Sequence, residues 1–302
     1  MLVAETLAAL ALRPDGLYVD ATFGRGGHSG RILEALGPDG QLIAIDRDPA
    51  AIAAGRVRYA HEQRLRLVQG EFGQLAALVH AQTGRTHADG TLFDLGVASP
   101  QLDDAARGFS FLQDGPLDMR MDPSRGQSAA VWLAAADLHE IRDVIATLGE
   151  ERFAGRIAAA IVRTRAVQPL TRTGELAALV ARCVPTREPG KHPATRTFQA
   201  LRMHVNDELG QLRRGLEQAL TLLAPAGRLA VISFHSLEDR AVKQFVRVHS
   251  EPDPVLARLP LDTLAPPPPL RRIGRRQRPS AQEIIANPRA RSAVLRVAER
   301  RA

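Results

Sequence analysis

The feature that most restricts this fold is a cluster of glycines between a short apolar run and a helix-like stretch. The run at residues 17–21 stops at Phe23-Gly24-Arg25-Gly26-Gly27-His28-Ser29-Gly30, and residues 31–36 follow with helical character. This order is typical of the first strand, loop and helix of a parallel α/β unit. Such a loop lets a ligand approach the backbone, and the N–H groups at the start of the helix can bind it.

Further apolar runs alternate with helical stretches along the first third of the chain. They lie at residues 41–45, 65–68 and 91–95, and strand character returns at residues 228–234. Strands that alternate with helices predict a mainly parallel, doubly wound sheet. The residues between have helical periodicity, with Phe153, Ile157 and Ile161 spaced by four. We therefore expect an α/β, Rossmann-like fold with an inserted helical domain.

Carboxylates at the predicted strand ends narrow the ligand to two classes. Asp46 follows the glycines by about 20 residues, where a carboxylate can bond ribose hydroxyls. The glycine spacing also fits a dinucleotide loop, so an NAD(P)-dependent oxidoreductase stays open. Asp20 before the loop and Asp94 at the end of the fourth run favour S-adenosylmethionine, with Phe72 against the adenine. Without the rest of the pattern, Asp94 could equally cap loop N–H groups, and Phe72 could be core.

Charge and cysteine content point to a polyanionic partner and a reducing compartment. Lys and Arg number 40 against 33 Asp and Glu, and the last 32 residues hold ten Arg and two Glu. This balance suits nucleic acid, although a general preference for arginine would also produce it. A single cysteine, Cys183, excludes an intramolecular disulfide and a Cys-rich zinc site, and we expect no metal. Residues 1–12 lack a basic n-region, and no run reaches the ~20 apolar residues of a membrane helix. We expect a cytoplasmic protein with no membrane partner.

The longer motifs resemble those of one family of RNA methyltransferases over nearly the whole chain. The resemblance is to the RsmH family, also called MraW, which methylates a cytidine N4 in the decoding region of small-subunit ribosomal RNA. The segments that carry it are Asp20-Ala-Thr-Phe-Gly-Arg-Gly-Gly-His-Ser29, Ala44-Ile-Asp-Arg-Asp-Pro49, Asp94-Leu-Gly-Val-Ala-Ser-Pro-Gln-Leu-Asp103, His192-Pro-Ala-Thr-Arg-Thr-Phe-Gln-Ala-Leu-Arg202 and Ser233-Phe-His-Ser-Leu-Glu-Asp-Arg240. The chain departs from the family pattern at Ala98, where the family has Ser, and ahead of Leu2, where the family has a His-x-Pro-Val segment.

The resemblance implies a class I S-adenosylmethionine-dependent methyltransferase fold and a specific activity. Residues 1–104 and 206–302 would form a discontinuous cofactor-binding domain, and residues 105–205 an inserted helical domain that recognises substrate. The activity would be N4 methylation of a cytidine in the P-site region of 16S ribosomal RNA. The cofactor contacts that the resemblance carries over fall on Gly26, Gly27, His28, Asp46, Phe72, Asp94 and Gln101. Oligomeric state is not decided, and a homodimer stays open.

Methyl transfer from a sulfonium needs positioning rather than a metal or a covalent enzyme intermediate. Cytosine N4 is a poor nucleophile, so acceptors for its amino hydrogens would help localise its lone pair. Asp94 and the backbone around Ser99 are candidates. His235 could orient the base or accept a proton through water, or could only pack beside a helix that begins with the capping-box-like Ser236-Leu-Glu-Asp239.

The sequence argues against cytosine C5 chemistry, and a non-catalytic interpretation stays open alongside the N4 enzyme. A cytosine C5 enzyme would need a nucleophilic cysteine, usually in a Pro-Cys pair, and Cys183 lies in Arg-Cys-Val-Pro, which argues against it. A non-catalytic RNA-binding assembly factor on a methyltransferase scaffold would bind the ribosomal subunit and transfer no methyl group. Intact Asp46 and Asp94 argue against that alternative.

Overall fold

The chain divides into two compact units along its sequence. The computed structural model describes residues 1–185, 192–252 and 267–302. The first unit comprises Met1–Gly96 with Leu209–Ala302, and the second comprises Val97–Glu208. The boundaries expected from the sequence lie after residues 104 and 205. In the structure the second unit begins earlier, and Val97 and Leu102 pack on its hydrophobic core.

A seven-stranded sheet organises the first unit. Its strand order is β3-β2-β1-β4-β5-β7-β6. Strands β1 to β5 are parallel to one another, and β7 is antiparallel to both β5 and β6. The strands are β1 (Leu17–Asp20), β2 (Gln41–Asp46), β3 (Leu65–Gln69), β4 (Ala88–Asp94), β5 (Leu223–Ser233), β6 (Leu270–Arg272) and β7 (Val294–Arg300).

Helices cover both faces of this sheet, because successive side chains of its strands point to opposite sides. Val19 and Ile43 belong to one hydrophobic cluster, while Tyr18 and Leu42 belong to another. The first cluster is completed by α4, α11 and α12, and the second by α1 and α2. The helices of the unit are α1 (Val3–Leu10), α2 (Gly27–Ala35), α3 (Pro49–Arg58), α4 (Leu75–Thr83), α11 (Glu208–Leu222), α12 (Ser236–Ser250) and α13 (Ala281–Ala286).

The second unit is helical and has its own core. Trp132, Ile145, Ile157 and Leu201 are among its buried side chains, each from a different helix. Asn206 ties a loop to this core, because its Oδ1 accepts from the Met121 N–H at 2.8 Å. The helices are α5 (Ser99–Asp103), α6 (Ala129–Ala135), α7 (Leu138–Gly149), α8 (Ala154–Arg165), α9 (Thr173–Cys183) and α10 (Thr195–Val205).

The predicted fold class, a Rossmann-like sheet with an inserted helical segment, is confirmed. All five predicted strands are present. Strand β5 begins at Leu223, earlier than the predicted run at residues 228–234, and its pairing with β4 shifts register between Leu223 and Arg228. Strands β6 and β7 were not expected. Among the described residues, no helix is both long and apolar enough to cross a membrane.

Candidate functional site

The glycine loop joins β1 to α2 and keeps the start of the helix accessible. Gly24 and Gly26 have φ values of 54° and 69°, a left-handed conformation that favours glycine. A Cβ on Gly26 would also lie 2.7 Å from the Phe23 ring, whereas a Cβ on Gly27 would have no atom of the described residues within 4 Å. The N-cap residue of α2 is Gly26, and none of the side chains that the structure describes caps this helix. Open space therefore lies beside the backbone at the start of this helix, where free N–H groups favour anions.

Hydrogen bonds to buried Asp20 and from the C-terminal end of helix α3 stabilise the loop. The Ser29 hydroxyl donates to Asp20 Oδ2 at 2.6 Å, and the Thr22 N–H donates to Oδ1 at 3.1 Å. The Tyr59 hydroxyl donates to the Gly26 carbonyl at 2.8 Å. Burial raises the pKa of Asp20, and the Ser29 hydrogen bond partly offsets this. The sequence pattern that includes Asp20 favoured S-adenosylmethionine as the ligand. In the structure, Asp20 stabilises the glycine loop.

Asp46 ends β2 and connects that strand to the glycine loop. Its Oδ2 accepts from the Gly24 N–H at 2.7 Å, and its Oδ1 accepts from the Asp48 N–H at 2.9 Å. Each carboxylate oxygen has a second lone pair, so both can still accept from a ligand hydroxyl. Burial raises the pKa of Asp46 to about 6, although the Asp48 and Gly24 N–H groups lower it. A carboxylate with so high a pKa beside a glycine loop is a candidate binding group.

His28 is buried at the start of α2, and each of its ring nitrogens faces an acceptor. Nε2 lies 3.0 Å from the Met1 carbonyl oxygen, and Nδ1 lies 3.3 Å from Asp94 Oδ2. Because a carbonyl and a carboxylate only accept, both nitrogens must carry hydrogen to satisfy both contacts, which favours the imidazolium. Burial opposes that charge, but the hydrogen bond and charge of Asp94, with the charge of Asp20, raise the pKa of His28 overall. His28 therefore fixes one oxygen of Asp94.

Asp94 ends β4 and presents a second, unsatisfied oxygen. Its backbone N–H donates to Thr22 Oγ1 at 2.6 Å. This contact was not predicted, although Thr22 follows Asp20 by two residues in the glycine-loop motif. Oδ1 is buried and accepts no hydrogen bond from any described residue, while the side chain as a whole is 24% exposed. A buried acceptor without a partner costs about 1–3 kcal/mol. A ligand donor at Oδ1 would offset that cost.

Phe72 lies just after β3, at the same edge of the sheet. It begins a short 3₁₀ turn, Phe72–Gln74, and is partly buried. Its ring meets Phe93 edge to face, with centroids 5.5 Å apart and an interplanar angle of 85°. A Cβ on Gly215 would lie 2.8 Å from the Phe72 ring, so α11 also packs against it. Phe72 is thus both a packing residue and a fixed wall at the strand ends.

The remaining predicted residues lie on two other helices. Ser99 and Gln101 belong to the second unit, where Ser99 begins α5 and buried Gln101 accepts from the Ala98 N–H at 2.9 Å through Oε1. His235 belongs to the first unit and caps α12. Its Nδ1 accepts from the Glu238 N–H at 3.4 Å, and its Nε2 lies 3.1 Å from Glu238 Oε1. The cap of this helix is therefore His235, and Ser236 is already its first residue.

These residues of the first unit fit S-adenosylmethionine. Asp46 offers acceptors for a ribose diol, and the uncapped start of α2 suits a carboxylate. The unfilled space beside Gly27 leaves room for a ligand against the backbone, and the free Oδ1 of Asp94 can take a donor. Asp46 is bound to the glycine loop through Gly24, and Asp94 through Thr22 and His28. These contacts place both carboxylates beside the loop at one edge of the sheet.

Comparisons with known proteins identify the family to which the chain is similar. Residues 1–301 match the model of the MraW methylase family. The chain is 57% identical to the ribosomal RNA small subunit methyltransferase H of Dechloromonas aromatica (strain RCB), over 99% of this chain and 97% of the relative. It is 55% identical to the protein of the same name in Shewanella loihica, over 99% and 96%. A crystal structure of a putative rRNA methylase from Clostridium thermocellum aligns over 99% of this chain and 96% of its own, with 12% identity and a TM-score of 0.46.

Proposed function

The chain belongs to the MraW methylase family, and we propose that it methylates the N4 amino group of a cytidine in the P-site region of 16S ribosomal RNA. S-adenosylmethionine supplies the activated methyl group when it is bound. The names of the relatives support ribosomal RNA of the small subunit as the substrate. A ribosomal substrate implies a cytoplasmic enzyme. The base and its position in the RNA rest on the motif resemblance.

The cofactor is held by residues from three strand ends. Asp46 accepts the ribose hydroxyls, the N–H groups of Gly27 and His28 meet the carboxylate of the methionine end, and Phe72 borders the adenine. The raised pKa of Asp46 supports this assignment, because hydroxyl donors recover part of the cost of keeping a buried carboxylate ionised. The backbone at Gly26 and Gly27 has no side chain to hold a ligand away.

Asp94 carries the proposed chemistry. Its Oδ2 is fixed by His28, which leaves Oδ1 as an acceptor with a defined orientation. A cytosine amino hydrogen donated to Oδ1 would orient the amino group toward the methyl group. As the N4–CH3 bond formed and the S–CH3 bond broke, N4 would lose one proton, and Oδ1 is the acceptor placed to receive it. The main contribution of the chain is then to align nucleophile and methyl group at near-attack distance. Ser99, at the start of α5, and His235, at the cap of α12, are further candidates to orient the base.

The inserted helical segment, residues 105–205, is the proposed substrate-recognition domain. A target base must leave its stack to reach a pocket, and splayed RNA then needs further contacts. Arg156 and Arg163 support this role, because they lie seven residues apart on α8 and are both exposed. Replacing both by Ala should weaken RNA binding and leave cofactor binding unchanged. Equal RNA affinity of this variant and the wild type would contradict a role for α8.

The central test is transfer of radiolabelled methyl groups to small ribosomal subunits, with the product nucleoside identified by mass spectrometry. Three proteins are compared: the wild type, Asp94→Asn and Asp39→Asn, the last an exposed carboxylate with no hydrogen bond or ion pair among the described residues. Calorimetry of S-adenosylmethionine binding to each protein separates loss of the donor from loss of transfer. We expect N4-methylcytidine from the wild type and Asp39→Asn, and little product from Asp94→Asn.

Each part of the proposal has its own contrary result. A different methylated nucleoside would refute N4 specificity while leaving the donor intact. Wild-type protein that binds the donor and the subunit without transferring a methyl group would favour the scaffold-factor alternative. Unchanged turnover in Asp94→Asn would remove Asp94 from the chemistry.

A further inference from the structure

A cleft lined by cationic side chains lies on the first unit, between α12 and the β6–β7 edge of the sheet. It encloses about 90 Å³. This volume suffices for several waters or a small anion, since one water needs about 10–15 Å³ of such space. Its floor is apolar and includes Val246 and Val297, on which the stems of long basic side chains can lie. The cationic lining residues are Lys243, Arg247, Arg272, Arg275, Arg276 and Arg296.

Arg275 and Arg276 lie in a turn after β6, and hydrogen bonds join the backbone on each side of this turn to β7. The Ile273 N–H donates to the Val297 carbonyl at 3.0 Å. Gln277 and Leu295 exchange both of their backbone hydrogen bonds, each at 3.0 Å. Arg275 and Arg276 therefore project from a turn that is held on both sides. This arrangement lowers the conformational cost of presenting their guanidinium groups to a ligand.

The positive charge of this cationic cleft is not neutralised by its described neighbours. Arg296 forms a two-bond pair with Asp239, at 2.7 and 3.0 Å. Burial raises the pKa of Asp239, but the bond to Arg296 and the charges of Arg296, Arg276 and Lys243 lower it overall, so several cations face this one carboxylate. Glu251 is the acidic residue of the lining itself, whereas Asp239 reaches the cleft only through its pair with Arg296. Six cations against these two carboxylates leave a surplus of four positive charges.

The other five cations make no hydrogen bond or ion pair with the described side chains. These exposed residues are Lys243, Arg247, Arg272, Arg275 and Arg276. Scattered surface arginines would need no explanation, but like charges gathered around one concave site repel one another. A bound anion removes that cost. Guanidinium groups also suit phosphate oxygens, because their planar donors can bond two oxygens at once.

We propose that this cationic cleft binds backbone phosphates of the RNA substrate, away from the target base. The inference rests on the proposed function for the identity of the polyanion. Strand β6 is separated from β4, which carries Asp94, by β5 and β7. At about 4.8 Å per strand, the cleft therefore lies roughly 14 Å across the sheet from Asp94. Contacts at that distance hold the strand without reading its sequence.

The test measures the salt dependence of RNA binding by fluorescence anisotropy with a labelled single-stranded oligouridine. The cleft variant is Lys243→Ala/Arg247→Ala/Arg275→Ala. The matched control, Arg56→Ala/Arg85→Ala/Arg213→Ala, removes the same charge from exposed residues on other parts of the unit. Each lost phosphate contact should reduce the slope of log affinity against log salt by about 0.7, so the cleft variant should lose about 2 in slope. At about 0.1 M salt this corresponds to an affinity loss on the order of a hundredfold.

Several outcomes would overturn the proposal. Equal slopes for the cleft variant and the wild type would do so, as would equal losses in the control variant, which would indicate diffuse charge. Displacement of the RNA by polyglutamate at matched charge would show that phosphate is not recognised. If the triple variant does not fold, Arg275→Gln alone, on the exposed turn, should still reduce the slope by about 0.7.

Methyl transfer by the wild type is measured in parallel. No transfer with an intact difference in slope would refute the proposed function and leave the cleft as an RNA site. Transfer by the wild type without a difference in slope would refute the cleft alone.

Discussion

Replacement of Gly27 by Ala should separate ligand binding by the glycine loop from its folding. Gly27 is the first residue of α2, it is not in the left-handed region, and a Cβ there meets nothing within 4 Å. Glycine in a helix is less favourable than alanine by roughly 0.5–1 kcal/mol. The unliganded variant should therefore be at least as stable as the wild type, with a melting temperature up to about 4 °C higher.

Binding of S-adenosylmethionine should change in the opposite direction. The added methyl group projects into the space assigned to the cofactor, and forcing an extra carbon into a close contact costs about 1–3 kcal/mol. Since each 1.4 kcal/mol is a factor of ten, the dissociation constant should rise by about 5- to 150-fold. Thermal melting of the unliganded protein and calorimetric titration of the cofactor measure the two effects on the same preparation.

Gly26→Ala is the matched control one residue earlier. Its φ of 69° is unfavourable for alanine, and its Cβ would lie 2.7 Å from the Phe23 ring. This variant should lose both stability and cofactor affinity. The reasoning would be refuted if Gly27→Ala bound the cofactor as tightly as the wild type, because the backbone of α2 would then not be a contact surface.

Three further predictions concern ionisation, capping and coupling. The pKa of Asp46 in the folded chain, about 6, lies above its ordinary value of 3.8, so its protonated form favours folding and this stabilisation disappears as pH rises through 6. Ribose hydroxyls need the carboxylate, so the cofactor should bind about tenfold more weakly near pH 5 than near pH 7, and calorimetry should find this dependence abolished in Asp46→Asn. Ala98→Ser should add a hydroxyl cap to α5 and raise the free energy of unfolding of the second unit by about 1 kcal/mol in denaturant titrations. An unchanged free energy of unfolding would show that the new hydroxyl does not reach the Gln101 N–H. His28→Ala and Asp94→Asn should each slow methyl transfer, and their effects on turnover should be strongly non-additive in a double-mutant cycle; simple additivity would mean that His28 does not act through Asp94.

The parts of the molecule that the sequence predicts well are those in which one local pattern decides the structure. The glycine loop, Asp46 and Asp94 each lie at the end of an apolar run, and the carboxyl ends of neighbouring parallel strands meet at one edge of a sheet. That rule is sufficient to predict from the sequence that these residues lie near one another. It could not reveal the contact between His28 and the Met1 carbonyl, which depends on how the first residues pack, with Leu2 fully buried.

The two missed strands lack the signal that identified the others. Strand β6 has only three residues, two of them Arg, and β7 includes Arg296, Glu299 and Arg300 among its seven. Neither presents a continuous apolar run, because β6 is an edge strand and β7 is antiparallel. The position of the cationic cleft could not be predicted from the sequence for the same reason. Its residues come from α12, the turn after β6, and β7, and only the antiparallel pairing of the last two strands brings them together.

The strand order also determines how the two proposed binding functions should combine. The glycine loop follows β1, whereas the cleft lies beside β6, so four strand spacings, or about 19 Å, separate them across the sheet. Substitutions farther apart than about 10 Å that share no contact usually add. Gly27→Ala combined with the cleft variant should therefore lose cofactor affinity and RNA affinity independently, each by the amount found separately. A combined variant whose RNA affinity depended on Gly27 would show instead that the bound cofactor, or the loop that holds it, forms part of the RNA site.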